Sequence, residues 1–409
     1  MISGRRRAWL AFAIVGALVL AACGGTDSAT EVVEETTDTV AVTDTTPAAA
    51  AEPFTLANFT PMEGAEVVNC APPAGEPIKA AWIYIGPIND GGWTQAHHEG
   101  LKAVQAALGD QVITTYKENI PEGPQAVQTI DQLVADGNTI IFANSYGYQD
   151  AFVEGAAKYP DVCFEHMTGY KISRNLSQSF GAGEDGKYLS GIAAGGDTKN
   201  GKIGVVAPFP IPEVIRGINA FALGARSVNP SATIQIVWTN TWFDPALERK
   251  AAESLIAAGV DTLAAFQDSP ATGEAAKVAG LGWAGYGADQ NANFPDIWLN
   301  ATIYQWAVYE VPRVKAALEG RWIAGDYYGN LGDGFIKMSS IGKRVSADTV
   351  AKIAEASARL AAASGSMFTG PIKGQDGTEK IAAGVTASHG EQMGMFYLVE
   401  GIIGDLPKG

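Results

Sequence analysis

From Lys79 onward, short apolar runs alternate with amphipathic stretches, and each apolar run is followed at once by a turn rich in Gly, Pro, Asn or Asp. That alternation leaves few folds open. Strands that feed helices through short connections build parallel, doubly wound α/β sheets. Strands are expected at 80–85, 112–116, 139–143 and 162–166, with a helix opening at Trp93 and another over 125–135. A second series begins at Lys202, with strands at 203–207, 234–238, 261–266 and 283–286 and helices at 213–228 and 246–258. The chain is long enough for two such lobes. The first lobe is expected over 76–183 plus about 304–328, the second over 184–303 plus about 329–345. Residues 346–409 hold a helix and a Gly-rich tail that the pattern assigns to neither lobe.

The turns after these strands carry the side chains with chemistry to offer. Asp90 and Trp93 follow the first strand, and Asn144 and Tyr146 the third. Phe209 follows the first strand of the second series; Trp242, Phe243 and Asp244 follow the next, then Asp268 and Asp289 the last two. In open α/β sheets, ligands bind outside the carboxyl ends of strands, so these turns would line a cleft between facing lobes. Aromatic faces there can sandwich a flat ring, while carboxylates and amides take N–H donors from its edge. The structural alternative is that Trp93 packs on the sheet and Asp90 caps a helix. Recurrence at six strand ends favours the ligand reading. No Lys or Arg stands at these positions, which disfavours an anionic ligand. No histidine accompanies a serine or cysteine in a nucleophile motif, so no catalytic residue is expected. His97 and His98, on adjacent helix faces, read as solvated or packing residues.

Ahead of the alternating region, residues 1–22 read as a lipoprotein signal peptide. Arg5, Arg6 and Arg7 precede an apolar stretch over 8–20, and Leu20-Ala21-Ala22-Cys23 follows, the pattern in which the cysteine thiol takes a lipid. Residues 23–75 are an acidic Thr/Ala/Pro segment with no Lys or Arg, expected to be a disordered tether. The body would then stand at the outer face of a cell membrane, on the periplasmic or extracellular side, held by the lipid. Losing the leader's three arginines moves the net charge from −16 to −19, which argues against nucleic acid as partner. Cys70 and Cys163 remain, and in an exported protein they are expected to pair as a disulfide. Neither CxxC nor a His–Cys cluster occurs, so no metal site and no cofactor are expected.

Residues 180–188 match GxGxxG and nearly match GxxxxGK[ST], failing at Tyr188. A phosphate cradle needs bare N–H groups and positive potential, whereas Glu184 and Asp185 occupy this loop. It reads as the crossover between lobes that opens the next helix.

Several of these motifs carry a resemblance. The Cys23 lipobox, Gly86-Pro87-Ile88-Asn89-Asp90-Gly91-Gly92-Trp93-Thr94, Phe209-Pro210-Ile211-Pro212-Glu213-Val214-Ile215-Arg216-Gly217, Ser227-Val228-Asn229-Pro230 and Trp242-Phe243-Asp244-Pro245 resemble the basic-membrane-protein family. These are lipoprotein substrate-binding subunits of ABC importers. The resemblance implies a type I periplasmic-binding-protein fold, a monomer working with permease and ATPase subunits, and a purine-like ligand. It places Trp93 and Trp242 at the family's stacking positions and Asp90 at a polar contact. Gly287-Ala288-Asp289 keeps one acid of the family's sugar-gripping pair, and Tyr304 stands where a lysine is expected; both departures favour a free nucleobase such as adenine over a nucleoside. A receptor for another flat or small ligand, such as a flavin or sugar, and a transporter-independent surface sensor remain alternatives.

Overall fold

The structure, a computed structural model, describes residues 54–406. The expected signal peptide, Cys23 and the tether up to residue 53 lie outside the described residues. In chain order the chain forms β1 (Phe59–Pro61), β2 (Ile78–Ile83), α1 (Trp93–Leu108), β3 (Val112–Lys117), α2 (Pro124–Ala135), β4 (Ile140–Ala143) and α3 (Gln149–Lys158). There follow β5 (Cys163–Met167), β6 (Leu176–Gly181), α4 (Gly183–Asp197), β7 (Lys202–Ala207), α5 (Pro212–Val228), β8 (Thr233–Trp238) and α6 (Pro245–Ala257). Then come β9 (Thr262–Ala265), α7 (Ala271–Ala279), β10 (Gly282–Tyr286), β11 (Trp298–Tyr304), α8 (Ala307–Leu318), β12 (Gly325–Gly329) and β13 (Ile336–Met338). The chain finishes with α9 (Ala347–Ala362), β14 (Ile372–Lys373), β15 (Glu379–Ile381), α10 (His389–Met393) and β16 (Ile402–Ile403).

Two seven-stranded sheets result, ordered β1-β12-β6-β5-β4-β2-β3 and β13-β11-β10-β9-β7-β8-β16. Their interior strands are parallel and buried on both faces by helices, which is why β4 and β9 read as unbroken apolar runs. The antiparallel strands β1 and β13 close one edge of each sheet. The chain passes between the sheets after β6, β11 and β12.

The first lobe is keyed by a buried ion pair. Glu165 on β5 accepts from Arg313 Nε and Trp322 Nε1, both at 2.6 Å, and from the Tyr309 hydroxyl at 2.6 Å. Arg313 also donates to Ser177 Oγ at 2.9 Å, so α8 is fixed to β5 and β6 after the chain has visited the second lobe. Cys70 and Cys163 are disulfide-linked, tying the segment before β2 to the start of β5.

Folded chain begins earlier than the composition of the tether implies. Phe54, Val68 and Cys70 are buried, and Phe59 pairs with Tyr327 on β12. Isolated hydrophobes there are enough because they dock on an existing sheet edge. Strands β6 and β11 are the other additions. Their Ser, Gln, Asn and Thr residues break the apolar run by which buried strands are recognised, although Ser177, Asn300 and Thr302 are buried. The segment after 346 belongs to the second lobe: Ile353, Leu360, Phe368 and Leu398 enter its core, and β16 pairs in parallel with β8.

The glycines of the GxGxxG match serve packing. A Cβ at Gly183 would strike the Tyr304 hydroxyl, and one at Gly186 would strike Thr302. Glu184 pairs with Arg216 at 3.2 Å, and Asp185 accepts from Ser364 Oγ at 2.6 Å and Gly365 N at 2.9 Å. The loop seats α4 against β11, and the carboxylates of Glu184 and Asp185 stand where a phosphate would need positive potential.

Candidate functional site

The carboxyl ends of the two sheets face one another across a cleft, with a tight pocket between them. The first lobe contributes Ile85, Trp93, Asn144, Tyr146 and Thr168, and the second Glu213, Trp242, Asp268 and Tyr286. The cavity shares Glu213, Trp242 and Tyr286 with a neighbouring chamber of about 340 Å³ that Lys187 and Phe266 also line. It shares Tyr146, Thr168 and Glu213 with a wider one of about 950 Å³ that reaches Asp326 and His389.

On the first-lobe side, local hydrogen bonds fix each lining group. Trp93 opens α1, and its indole Nε1 donates to the Asn144 carbonyl at 2.6 Å. Asn144 Oδ1 accepts from Ile85 N at 2.9 Å, which staples the loops after β2 and β4 together. The Asn144 amide nitrogen is buried without a partner, a donor left for something in the cavity. Thr168 holds a φ of 73°, a conformation uncommon for a residue with a Cβ, in the loop after β5. Tyr146 is 46% exposed at the rim, with its ring 5.2 Å from that of Tyr170.

On the opposite side, Trp242 is half-buried and its ring lies 5.2 Å from Phe209. Its loop is tied to the loop after β9, where Gln267 Nε2 donates to Thr239 Oγ1 at 2.7 Å and Asp268 N to the Trp242 carbonyl at 3.3 Å. Charge collects beside it. Burial pushes the Asp268 carboxyl well above the usual carboxylate range, and Asp90, Glu248 and Glu213 add to this. Burial likewise pushes Glu213 up to about 7, against the pull of Arg216. Lys187 is held well below the usual lysine range by burial, with Asp268 and Glu213 opposing. Its Nζ stands 3.7 Å from the Phe266 ring centre and 4.0 Å from that of Tyr286, and donates to the Ala265 carbonyl at 3.1 Å.

Of the residues singled out in the sequence, the cavity gathers Trp93, Asn144, Tyr146, Trp242 and Asp268. The others stand elsewhere. Asp90 spends both oxygens on the start of α1, accepting from Gly92 N at 2.8 Å, Thr94 N at 2.7 Å and Gln95 N at 3.0 Å. Asp244 caps α6 by accepting from Ala246 N and Leu247 N, both at 3.0 Å. Asp289 accepts from Asn291 N at 3.0 Å and Ser340 N at 2.8 Å, bracing the turn after β10. Phe209 backs Trp242 from outside the cavity lining, and Phe243 is 39% exposed. His97 is wholly buried against Trp306, ring centres 3.9 Å apart, and His98 packs on Tyr116; neither is solvated. The strand-end turns carry no cation, but Lys187 lines the neighbouring chamber from α4, a position that the strand-end rule does not survey. Glu213 and Tyr286 were also passed over. Glu213 lies at the start of α5, and Tyr286 reads in sequence as one more strand residue.

A family model described as PnrA-like ABC transporter substrate-binding protein, Bmp, matches residues 78–361. The chain belongs to this family. Its members are substrate-binding proteins and not enzymes. Over 336 residues the chain is 40% identical to a purine-binding protein of Brucella abortus, covering 82% of this chain and 95% of that protein. It is equally 40% identical over 284 residues to a Haloferax volcanii protein whose name assigns it to glucose binding by an ABC transporter, covering 69% and 72%. Among solved structures, an ABC transporter solute-binding protein from Aeropyrum pernix superposes with a TM-score of 0.63 at 17% identity, covering 77% of this chain and 95% of that one. One from Conexibacter woesei does so with a TM-score of 0.59 at 22% identity, covering 70% and 96%. Both share the two-lobed periplasmic-binding-protein fold. Among the described residues, no helix is long and apolar enough to cross a membrane, and no acidic, His or Cys cluster could hold a metal.

Proposed function

We propose that this chain is the lipid-anchored receptor of an ABC importer that captures a purine ring, as nucleobase or nucleoside, and presents it to permease and ATPase subunits. The observation that carries the reading is that Trp93 and Trp242, from opposite lobes, line one cavity together with the free amide of Asn144 and the carboxyl of Asp268. A flat heteroaromatic ring meets aromatic faces and edge partners at once there, and only when the lobes are together. Anchoring through Cys23 and a monomeric state complete the proposal; the lipobox pattern supports the former. Calorimetry on ligand-free protein with adenine, guanine, hypoxanthine and their nucleosides tests it, a purine being expected to bind while hexoses do not.

A second reading, a sugar receptor, draws on the likeness to the glucose-assigned relative and on carboxylates beside aromatic rings, a combination that also suits hydroxyls and C–H faces. Glucose binding without purine binding in the same titrations would establish it in place of the first.

A further inference from the structure

Lys187 comes from the segment that resembled a phosphate loop, and the purine reading leaves it without a role. Its side chain is 3% exposed. An ammonium has three N–H donors, and the Ala265 carbonyl meets one of them. Among the described residues no carboxylate comes within ion-pair distance of its Nζ, although Asp268 and Glu213 are near enough to act on it through space. Those two carboxyls are equally short of partners: among the described residues no hydrogen bond reaches the Asp268 or Glu213 oxygens. Buried charges are normally paired and hydrogen-bonded. Here one cation and two acids line two adjoining pockets, which share Glu213, Trp242 and Tyr286. Something placed between them would complete all three.

The complement of that set is specific. In the charged forms that hydrogen bonds to an occupant would favour, a lysine only donates and a carboxylate only accepts, so the complementary occupant offers one acceptor and two donors along its edge. A 2-amino-6-oxopurine does so, with a carbonyl oxygen followed by a ring N–H and an amino group. Adenine held in the same orientation turns its amino donor on Lys187 and its ring-nitrogen acceptor on a carboxylate, so neither contact forms, and its C–H leaves the other carboxylate unmet. Resting on the purine reading above, we infer that Lys187 is a specificity-determining residue that donates to the 6-oxo group, with Asp268 and Glu213 taking the neighbouring N–H donors, so that the cleft selects guanine-type bases.

Quenching of tryptophan fluorescence on the full, ligand-free protein, which works at the low concentrations guanine allows, tests this. Wild type is expected to bind guanine at least tenfold more tightly than adenine, since a buried hydrogen-bonding site discriminates strongly against a ligand that leaves its groups unpaired. Lys187→Met should weaken guanine at least tenfold and change adenine less than threefold. Equal weakening of both bases would make Lys187 a packing residue and overturn the inference while leaving the purine reading intact. Adenine binding as tightly as guanine, or more tightly, in wild type overturns it without any variant, which covers the case that Lys187→Met fails to fold by circular dichroism. Binding of neither base overturns the inference, and failure of their nucleosides as well overturns the purine reading itself.

Discussion

Gln290, in the turn after β10, donates its side-chain amide to the carbonyl of Gly91, in the turn after β2, at 2.9 Å across the cleft. Beside this bond the backbones of the two lobes touch: a Cβ on Gly287 would lie 2.7 Å from Gly92, at a φ of +76°. The cleft is therefore held shut by groups that belong to neither the cavity nor the hinge strands. Gln290→Ala should speed ligand release and weaken affinity about two- to tenfold, the usual worth of one neutral hydrogen bond. Gly287→Val should weaken it more, because the side chain wedges the lobes apart. Stopped-flow release and small-angle scattering with saturating ligand would check both, and an unchanged release rate in Gly287→Val would refute the contact.

Trp242→Ala should lower purine affinity by roughly tenfold to more than a hundredfold, the cost of about 1–3 kcal/mol for a lost stacking partner. Trp242→Phe should lose much less. The tryptophan is half-buried at the rim, so the melting temperature should barely move. A variant that binds normally but melts early would assign Trp242 to packing.

Glu213 gives the unliganded protein a pH signature. Its carboxyl is raised from an unfolded value near 4.5 to about 7 in the folded chain, chiefly by burial. The folded state thus holds the proton more tightly, and the associated stability is complete below pH ~4.5 and lost as pH rises through ~7. Glu213→Gln should match wild type near pH 5 and melt a few degrees higher at pH 8. Calorimetric scans at the two pH values decide it; a difference confined to pH 5 would reverse the assignment.

Glu165→Ala should destabilise the protein by about 3–5 kcal/mol, because it strands the buried Arg313 guanidinium. Chemical denaturation should show the loss, with Arg313→Met in the same background recovering part of it.

Anchoring is separable from capture. Cys23→Ser should move the protein from the membrane to the soluble fraction, with purine affinity unchanged. Membrane retention of the variant would point to a different anchor.

Lobes and cleft were legible because both depend on strong local signals: unbroken apolar strands, and Gly-, Pro- and Asn-rich turns at their carboxyl ends. Trp93, Asn144, Trp242 and Asp268 follow from that rule alone. The rule cannot tell a carboxylate that faces the cleft from one that turns back on its own loop. Asp90 and Asp244 sit two to five residues ahead of the N–H groups they accept from, and Asp289 accepts from Asn291 N two residues on and from the distant Ser340 N, choices decided by loop geometry. Lys187 and Glu213 were missed for the opposite reason, since they lie on helices whose flanking residues are ordinary packing residues. The strand β6 was hidden by its serines, of which Ser177 is buried because Arg313 and the Gly325 amide satisfy it.

The pairing of β16 with β8 sets the order in which the two lobes become foldable during synthesis. Every described strand of the first sheet has been made once Gly329 is joined, whereas the second sheet lacks its outer edge until Ile403. Until then Ile234 and its neighbours on β8 are an open edge, a template for wrong partners. A nascent chain halted between these two points would carry a complete set of strands for the first sheet beside a second sheet still open at β8.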